Sequence, residues 1–151
     1  MKKIALLAGV FLMIACGNGQ TQAQGKTADD KKPANEGKYY TTAVAPGELA
    51  VSEKGTVILS LIPGSGYKWN DEYPAKFKLT APASVALEKA EFSFKNKDIE
   101  TDKKEARLSL PLTISAQGPQ KLDVKGSFSV CNDTSCKIMR NEVFSITVQG
   151  K

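Results

Sequence analysis

The stretch Gly126-Ser127-Phe128-Ser129-Val130-Cys131-Asn132-Asp133-Thr134-Ser135-Cys136-Lys137-Ile138 decides how this chain is read. Two cysteines flank Asn-Asp-Thr-Ser, four residues that favour turns because their short polar side chains bond to their own backbone. Apolar residues alternate with polar ones on the approach, at Leu122, Val124, Phe128 and Val130, and again beyond, at Phe144, Ile146 and Val148. A period of two puts every second side chain on one face of a strand. Each flank therefore reads as a half-buried strand, and the tetrapeptide as a hairpin loop. Cys131 and Cys136 then stand at the mouth of a β-hairpin, near enough to bond. A pair so placed is either a staple or a reagent.

The same period recurs upstream. In Thr56 to Ile62, Val57, Leu59 and Leu61 fall on one side and Ile58, Ser60 and Ile62 on the other, which marks a well-buried strand. Leu49-Ala50-Val51 is expected to pair with it across a turn at Glu53-Lys54-Gly55, and Pro63-Gly64-Ser65-Gly66 ends it. Further strands are expected at Lys76 to Leu79, Val85 to Glu91 and Arg107 to Ile114, with a polar loop running from Glu91 to Lys104. Pro111 has no N–H to give a ladder, so its strand should lie at an edge or be bulged there. Trp69 is expected in the core, with a binding surface shared with Tyr67 as the alternative. No segment has helical period and length. About seven short strands between turn signals predict an all-β fold, an immunoglobulin-like two-sheet sandwich.

At the other end, Met1-Lys2-Lys3 is a positive head and Ile4 to Ala15 an apolar run too short to span a bilayer, the layout of a secretory signal. Leu12-Met13-Ile14-Ala15-Cys16-Gly17 resembles the lipobox of bacterial lipoproteins. That resemblance implies that Cys16 becomes the first mature residue and carries acyl chains, and Gly17 after it favours outer-membrane sorting. Residues 17–37 contain no large apolar side chain, so they cannot offset their ordering entropy and read as a tether, with a reach of about 25 Å as a random coil. The expected organisation is a signal peptide at 1–15, a lipid-anchored linker at 16–37 and one domain at 38–151. The protein is expected to be exported and lipid-anchored, on the periplasmic side of the outer membrane or at the cell surface.

Composition narrows the chemistry. The formal charge of +5 falls by two, to +3, once Lys2 and Lys3 leave with the signal. Lysines alternate with acids along nearly every segment, and no basic block carries interleaved aromatics, which argues against nucleic acid as a partner. The modest positive balance suits contact with anionic lipid or polysaccharide. The absence of histidine removes Ser-His and Cys-His dyads, the commonest general base and the commonest metal ligand. There is no G-x-S-x-G elbow, so a hydrolase finds no support. Zinc would need two more ligands than the cysteine pair supplies, and no metal or other cofactor is expected. Of three cysteines the lipobox takes one, leaving two in an oxidising compartment, where an even pair reads as a disulfide or a redox couple.

From Glu91 to Val148 the chain resembles the N-terminal periplasmic domain of the thiol:disulfide interchange protein DsbD family. Glu91-Phe92-Ser93-Phe94-Lys95 is similar to that family's cap loop, Arg107 to Ile114 to the strand after it, and Cys131 and Cys136 fall where its redox pair lies. The resemblance implies an immunoglobulin-like sandwich, a catalytic pair at Cys131 and Cys136, and an aromatic cap at Phe92, with Phe94 second. The C-x4-C spacing is one residue shorter than in that family, and Lys137-Ile138-Met139 replace its prolines. Neither the family's membrane electron carrier nor its thioredoxin domain is present here, so the implied redox partner is a separate protein of one of those two kinds. Exchange would proceed by thiolate attack through a mixed disulfide, favoured by Lys137 and Arg140 and opposed by Asp133. The competing reading is a binding or structural lipoprotein whose disulfide pins a hairpin, worth about 2 kcal/mol for so short a loop.

Overall fold

A computed structural model describes residues 35–151; the expected signal peptide, Cys16 and nearly all of the expected linker lie outside the described residues. The strands are β1 (Tyr40–Ala45), β2 (Glu48–Leu49), β3 (Lys54–Pro63), β4 (Lys68–Trp69), β5 (Lys76–Thr80), β6 (Val85–Leu87), β7 (Glu91–Ser93), β8 (Ile99–Thr101), β9 (Ala106–Ile114), β10 (Gly118–Cys131) and β11 (Cys136–Gly150). A single turn of 3₁₀-helix, Phe94–Asn96, separates β7 from β8. One sheet runs β1-β3-β9-β6, with β8 also on β9; the other runs β2-β11-β10-β5-β7, with β4 also on β10. The fold is the expected all-β, immunoglobulin-like two-sheet sandwich.

Alternation explains the two layers. On β3, Val57, Leu59 and Leu61 are buried while Ile62 is exposed; on β9, Ala106, Leu108, Leu110, Leu112 and Ile114 are buried. On β10 the buried apolar set is Leu122, Val124, Phe128 and Val130, and on β11 it is Met139, Phe144, Ile146 and Val148. These inner faces meet around Phe128. Its ring stacks on Trp69 (5.5 Å) and Phe77 (5.6 Å) and takes the edge of Tyr40 from the opposite sheet (5.0 Å). Trp69 is thus a core residue. Tyr40 keeps its polar end satisfied by donating to Glu142 Oε1 (3.3 Å), and burial, followed by the Glu142 and Glu36 carboxylates, pushes its pKa far above the ordinary tyrosine value.

Four expectations about strands change. Leu49 does not pair with β3: β2 pairs parallel with the end of β11, because the chain at residues 50–53 crosses from one sheet to the other. Gly55 lies inside β3, where the Leu49 side chain occupies the space a Cβ would need (2.6 Å). The segment Val85 to Glu91 is likewise divided, β6 joining β9 and β7 joining β5. The polar loop after Glu91 contains β7, the 3₁₀ turn and β8, each too short to show a period. Pro111 sits inside β9, opposite Thr56, at the gap between the stretches paired with β6 and β8, so its missing N–H costs no ladder bond. Contacts to the domain already include Asn35, whose Nδ2 donates to Glu142 Oε2 (2.8 Å) upstream of the expected boundary at Lys38.

Candidate functional site

The cysteine hairpin is built as its sequence implies. β10 and β11 pair from Gly118 opposite Gly150 to Cys131 opposite Cys136. Asn132 closes the tip: its N–H donates to Ser135 O (2.9 Å), and its Oδ1 accepts from the N–H groups of Thr134 (3.0 Å) and Ser135 (2.7 Å). Asn132 and Ser135 thus form a hydrogen-bonded pair. The next pair, Cys131 with Cys136, is then a non-hydrogen-bonded one, the position at which facing side chains approach most closely. Its Cα atoms are 4.0 Å apart and the two sulfurs are joined in a disulfide.

The face on which that disulfide lies follows from parity along β10. Gly126, Phe128 and Val130 point into the core, so Lys125, Ser127 and Cys131 point out of the sandwich. Cys131 is half-buried and Cys136 exposed. Lys68 lies opposite Cys131 on β4, and its Nζ is 3.8 Å from the Asp133 carboxylate, both side chains largely in solvent. Lys137 Nζ sits 5.9 Å from the centre of the Tyr39 ring, which in turn meets Tyr67 edge-on at 5.5 Å.

Phe92 is elsewhere. It pairs with Phe77, which pairs with Gly126, so it belongs to the inward set of the same sheet and is 3 % exposed. That register puts it on the opposite face from the disulfide, two strands across and roughly 16 Å further along β10. The structure therefore does not bring Phe92 over the cysteines as the cap resemblance implied. The physical reason is parity: Glu91-Phe92-Ser93 is itself a short strand, and its one apolar residue goes to the core. Phe94, on the 3₁₀ turn, donates its N–H to Ala75 O (2.9 Å) and packs half-buried against that same core.

The turn after Phe94 has its own anchor. Asp98 Oδ2 accepts from Ser93 N–H (3.2 Å), Asp98 N–H donates to Ser93 O (3.2 Å), and Asp98 Oδ1 is paired with Lys89 Nζ. The Lys89 bond, with help from the Ser93 N–H, lowers the Asp98 pKa below its ordinary value against an opposing effect of burial. One result is that the outer edge of β7 is occupied at Ser93 by its own chain.

A second site was not visible beforehand. On the outer face of β10, β5 and β7 lies a groove of about 600 Å³, lined by Lys76, Lys78, Lys95 and Lys125 with Glu91, Ser93, Asn96, Ser127 and Asn141. Its rows are set by register: Lys125 faces Lys78, which faces Glu91; Ser127 faces Lys76, which faces Ser93. A bulge in β11 shapes one wall. Arg140 and Asn141 stand where one residue would suffice opposite Ser127, Asn141 adopts a left-handed φ of 54°, and its N–H donates to Ser127 Oγ (3.1 Å). The lysines come from three separate segments, and in sequence each has an acid nearby; only pairing gathers them.

No family model matches this chain, and a comparison with curated proteins finds no match. Among solved structures it is similar to WR4, a C. elegans member of the MSP family, at 8 % identity and a TM-score of 0.39, covering 73 % of this chain and 97 % of that one. It is also similar to a CARDB domain from Pyrococcus furiosus (13 % identity, TM-score 0.39, covering 76 % and 90 %). A third is the collagen-binding domain of a Staphylococcus aureus adhesin (10 % identity, TM-score 0.38, covering 76 % and 99 %). None of these names a thiol:disulfide interchange protein.

Proposed function

We propose that this protein is an exported, lipid-anchored binding module whose Cys131–Cys136 disulfide is a staple rather than a reagent. The observation that carries the reading is the placement of Phe92 in the core, on the far face of the sheet from the sulfurs. Without that ring the pair lacks the shield that a redox couple of the resembled kind requires, while the staple function needs nothing more than is present. The disulfide ties the turn end of a long two-stranded ladder, beside a loop already organised by Asn132. Anchoring follows from the sequence at Cys16, which is outside the described residues.

Thiol-disulfide exchange with a separate exported partner is the second reading. It is favoured by the exposure of Cys136 and by Lys68 opposite Cys131, a cation placed to stabilise a thiolate. One measurement separates the two. A reduction potential below about −300 mV is expected for a staple; a value in the range of thioredoxins or glutaredoxins, about −270 to −200 mV, together with capture of a partner by Cys131→Ala or Cys136→Ala in cells, would overturn the staple reading.

A further inference from the structure

We propose that the lysine-lined groove on the outer face of β5, β7 and β10 binds a segment of acidic polysaccharide; this names the ligand class for the binding module above and rests on that reading. The first ground is a local rule that the fold breaks. Lys125 and Lys78 are directly opposed cross-strand neighbours, an arrangement that repels. Lys76 is one row away on the same face, and Lys95 approaches from the 3₁₀ turn. Against these four cations the groove supplies one carboxylate, Glu91, which is 3.2 Å from Lys78 Nζ. Lys76, Lys95 and Lys125 have no ion-pair partner among the described residues. Uncompensated like charge gathered in a concavity is a site waiting for an anion.

The shape and lining select which anion. A groove about 600 Å³ in volume admits a few units of a polymer, and its polar side chains between the lysines suit sugar hydroxyls better than the phosphates of a flat bilayer. Its two aromatic lining residues, Phe77 and Phe92, are 2 % and 3 % exposed, so no ring is offered on which a nucleobase could stack. An extended acidic peptide would gain most by adding a strand to the sheet edge beside the groove. At that edge Ser93 is already taken, its N–H by the Asp98 carboxylate and its carbonyl by the Asp98 N–H, which shortens the ladder an added strand could form. Recognition must then run through side chains: lysines for carboxylates, and the hydroxyls and amides of Ser93, Asn96, Ser127 and Asn141 for sugar hydroxyls. Chains of uronic acids present that pattern.

The test is binding of the purified full chain to alginate at low ionic strength, with neutral dextran, poly-L-glutamate, phosphatidylglycerol vesicles and poly(dT) as comparisons. Lys76→Gln/Lys125→Gln should weaken alginate binding by about tenfold or more, as two charge-assisted contacts are lost. The charge-matched Lys103→Gln/Lys104→Gln, in the exposed β8–β9 loop, should change it by less than about twofold. Equal losses in the two double variants, no alginate binding by the parent chain, or binding to poly-L-glutamate, vesicles or poly(dT) as tight as to alginate would each overturn the assignment. All variants are surface changes, and a cooperative melting transition no lower than the parent's shows that they fold. The groove contains neither cysteine, so its failure leaves the staple reading to the reduction potential, and a redox-active disulfide leaves the groove result standing.

Discussion

Asp98 shows how one side chain organises a whole turn. It takes the Ser93 N–H and pairs with Lys89, and the latter bond holds its carboxyl below the ordinary aspartate value. A carboxyl with a lowered folded pKa contributes stability above its unfolded value, near about 3.9, and loses that contribution as pH falls through the lower folded value. Asp98→Asn should therefore be less stable than the parent at neutral pH. The gap should close on acidification below about pH 4; urea titrations across pH 2 to 7 measure it, and a gap independent of pH would contradict the assignment. Phe92 supports a second expectation at this scale. Because its ring is buried on the face away from the sulfurs, Phe92→Leu should lower stability by about 1–2 kcal/mol. Reduction of the native disulfide by a small thiol should proceed at the parent's rate, and acceleration would restore the cap.

At the scale of elements, the β10–β11 hairpin carries both candidate sites on one face. Its bulge at Arg140-Asn141 lets Met139 and Phe144 both reach the core although an even alternation would separate them. The neighbouring ladder of β5 and β10 carries the opposed lysines. If they repel, Lys125→Gln should raise stability by about 0.2–1 kcal/mol while weakening the groove's hold on polyanions. Chemical denaturation at low and high salt checks this, since the gain should shrink as salt screens the repulsion. A loss of stability at both salt concentrations would mean that Lys125 is held by packing instead.

For the molecule as a whole, the disulfide and the core contribute on different scales. The rings of Tyr40, Trp69, Phe77 and Phe128 tie the two sheets together on the inner face, away from the side that carries the disulfide. Closing a loop as short as that between Cys131 and Cys136 is worth about 2 kcal/mol in the chain-entropy picture. Removing both cysteines as Cys131→Ala/Cys136→Ala should thus cost about that much and leave a cooperatively folded sandwich. Collapse of the double variant under native conditions would show that the staple is needed for folding itself.

What the amino-acid order determined by itself was local. Period-two patterns at Val57 to Leu61, Arg107 to Ile114 and Leu122 to Val130 specify strands and their buried faces, and Asn132 to Ser135 specify a hairpin tip, because those signals act between residues close in sequence. Partners were another matter. The strand β1, Tyr40–Ala45, has little alternation to mark it, and β2 and β7 are too short to do so. The same local pattern also suits more than one neighbour, so β2 could be assigned to β3 when it joins β11. Phe92 read as a cap by resemblance, and only its register opposite Phe77 sends it to the core. The lysine groove was equally hidden, since Lys76, Lys95 and Lys125 become neighbours through ladder pairing and the return of the chain at Asp98. Long-range register decides which side chains share a face, and no short window of sequence contains it.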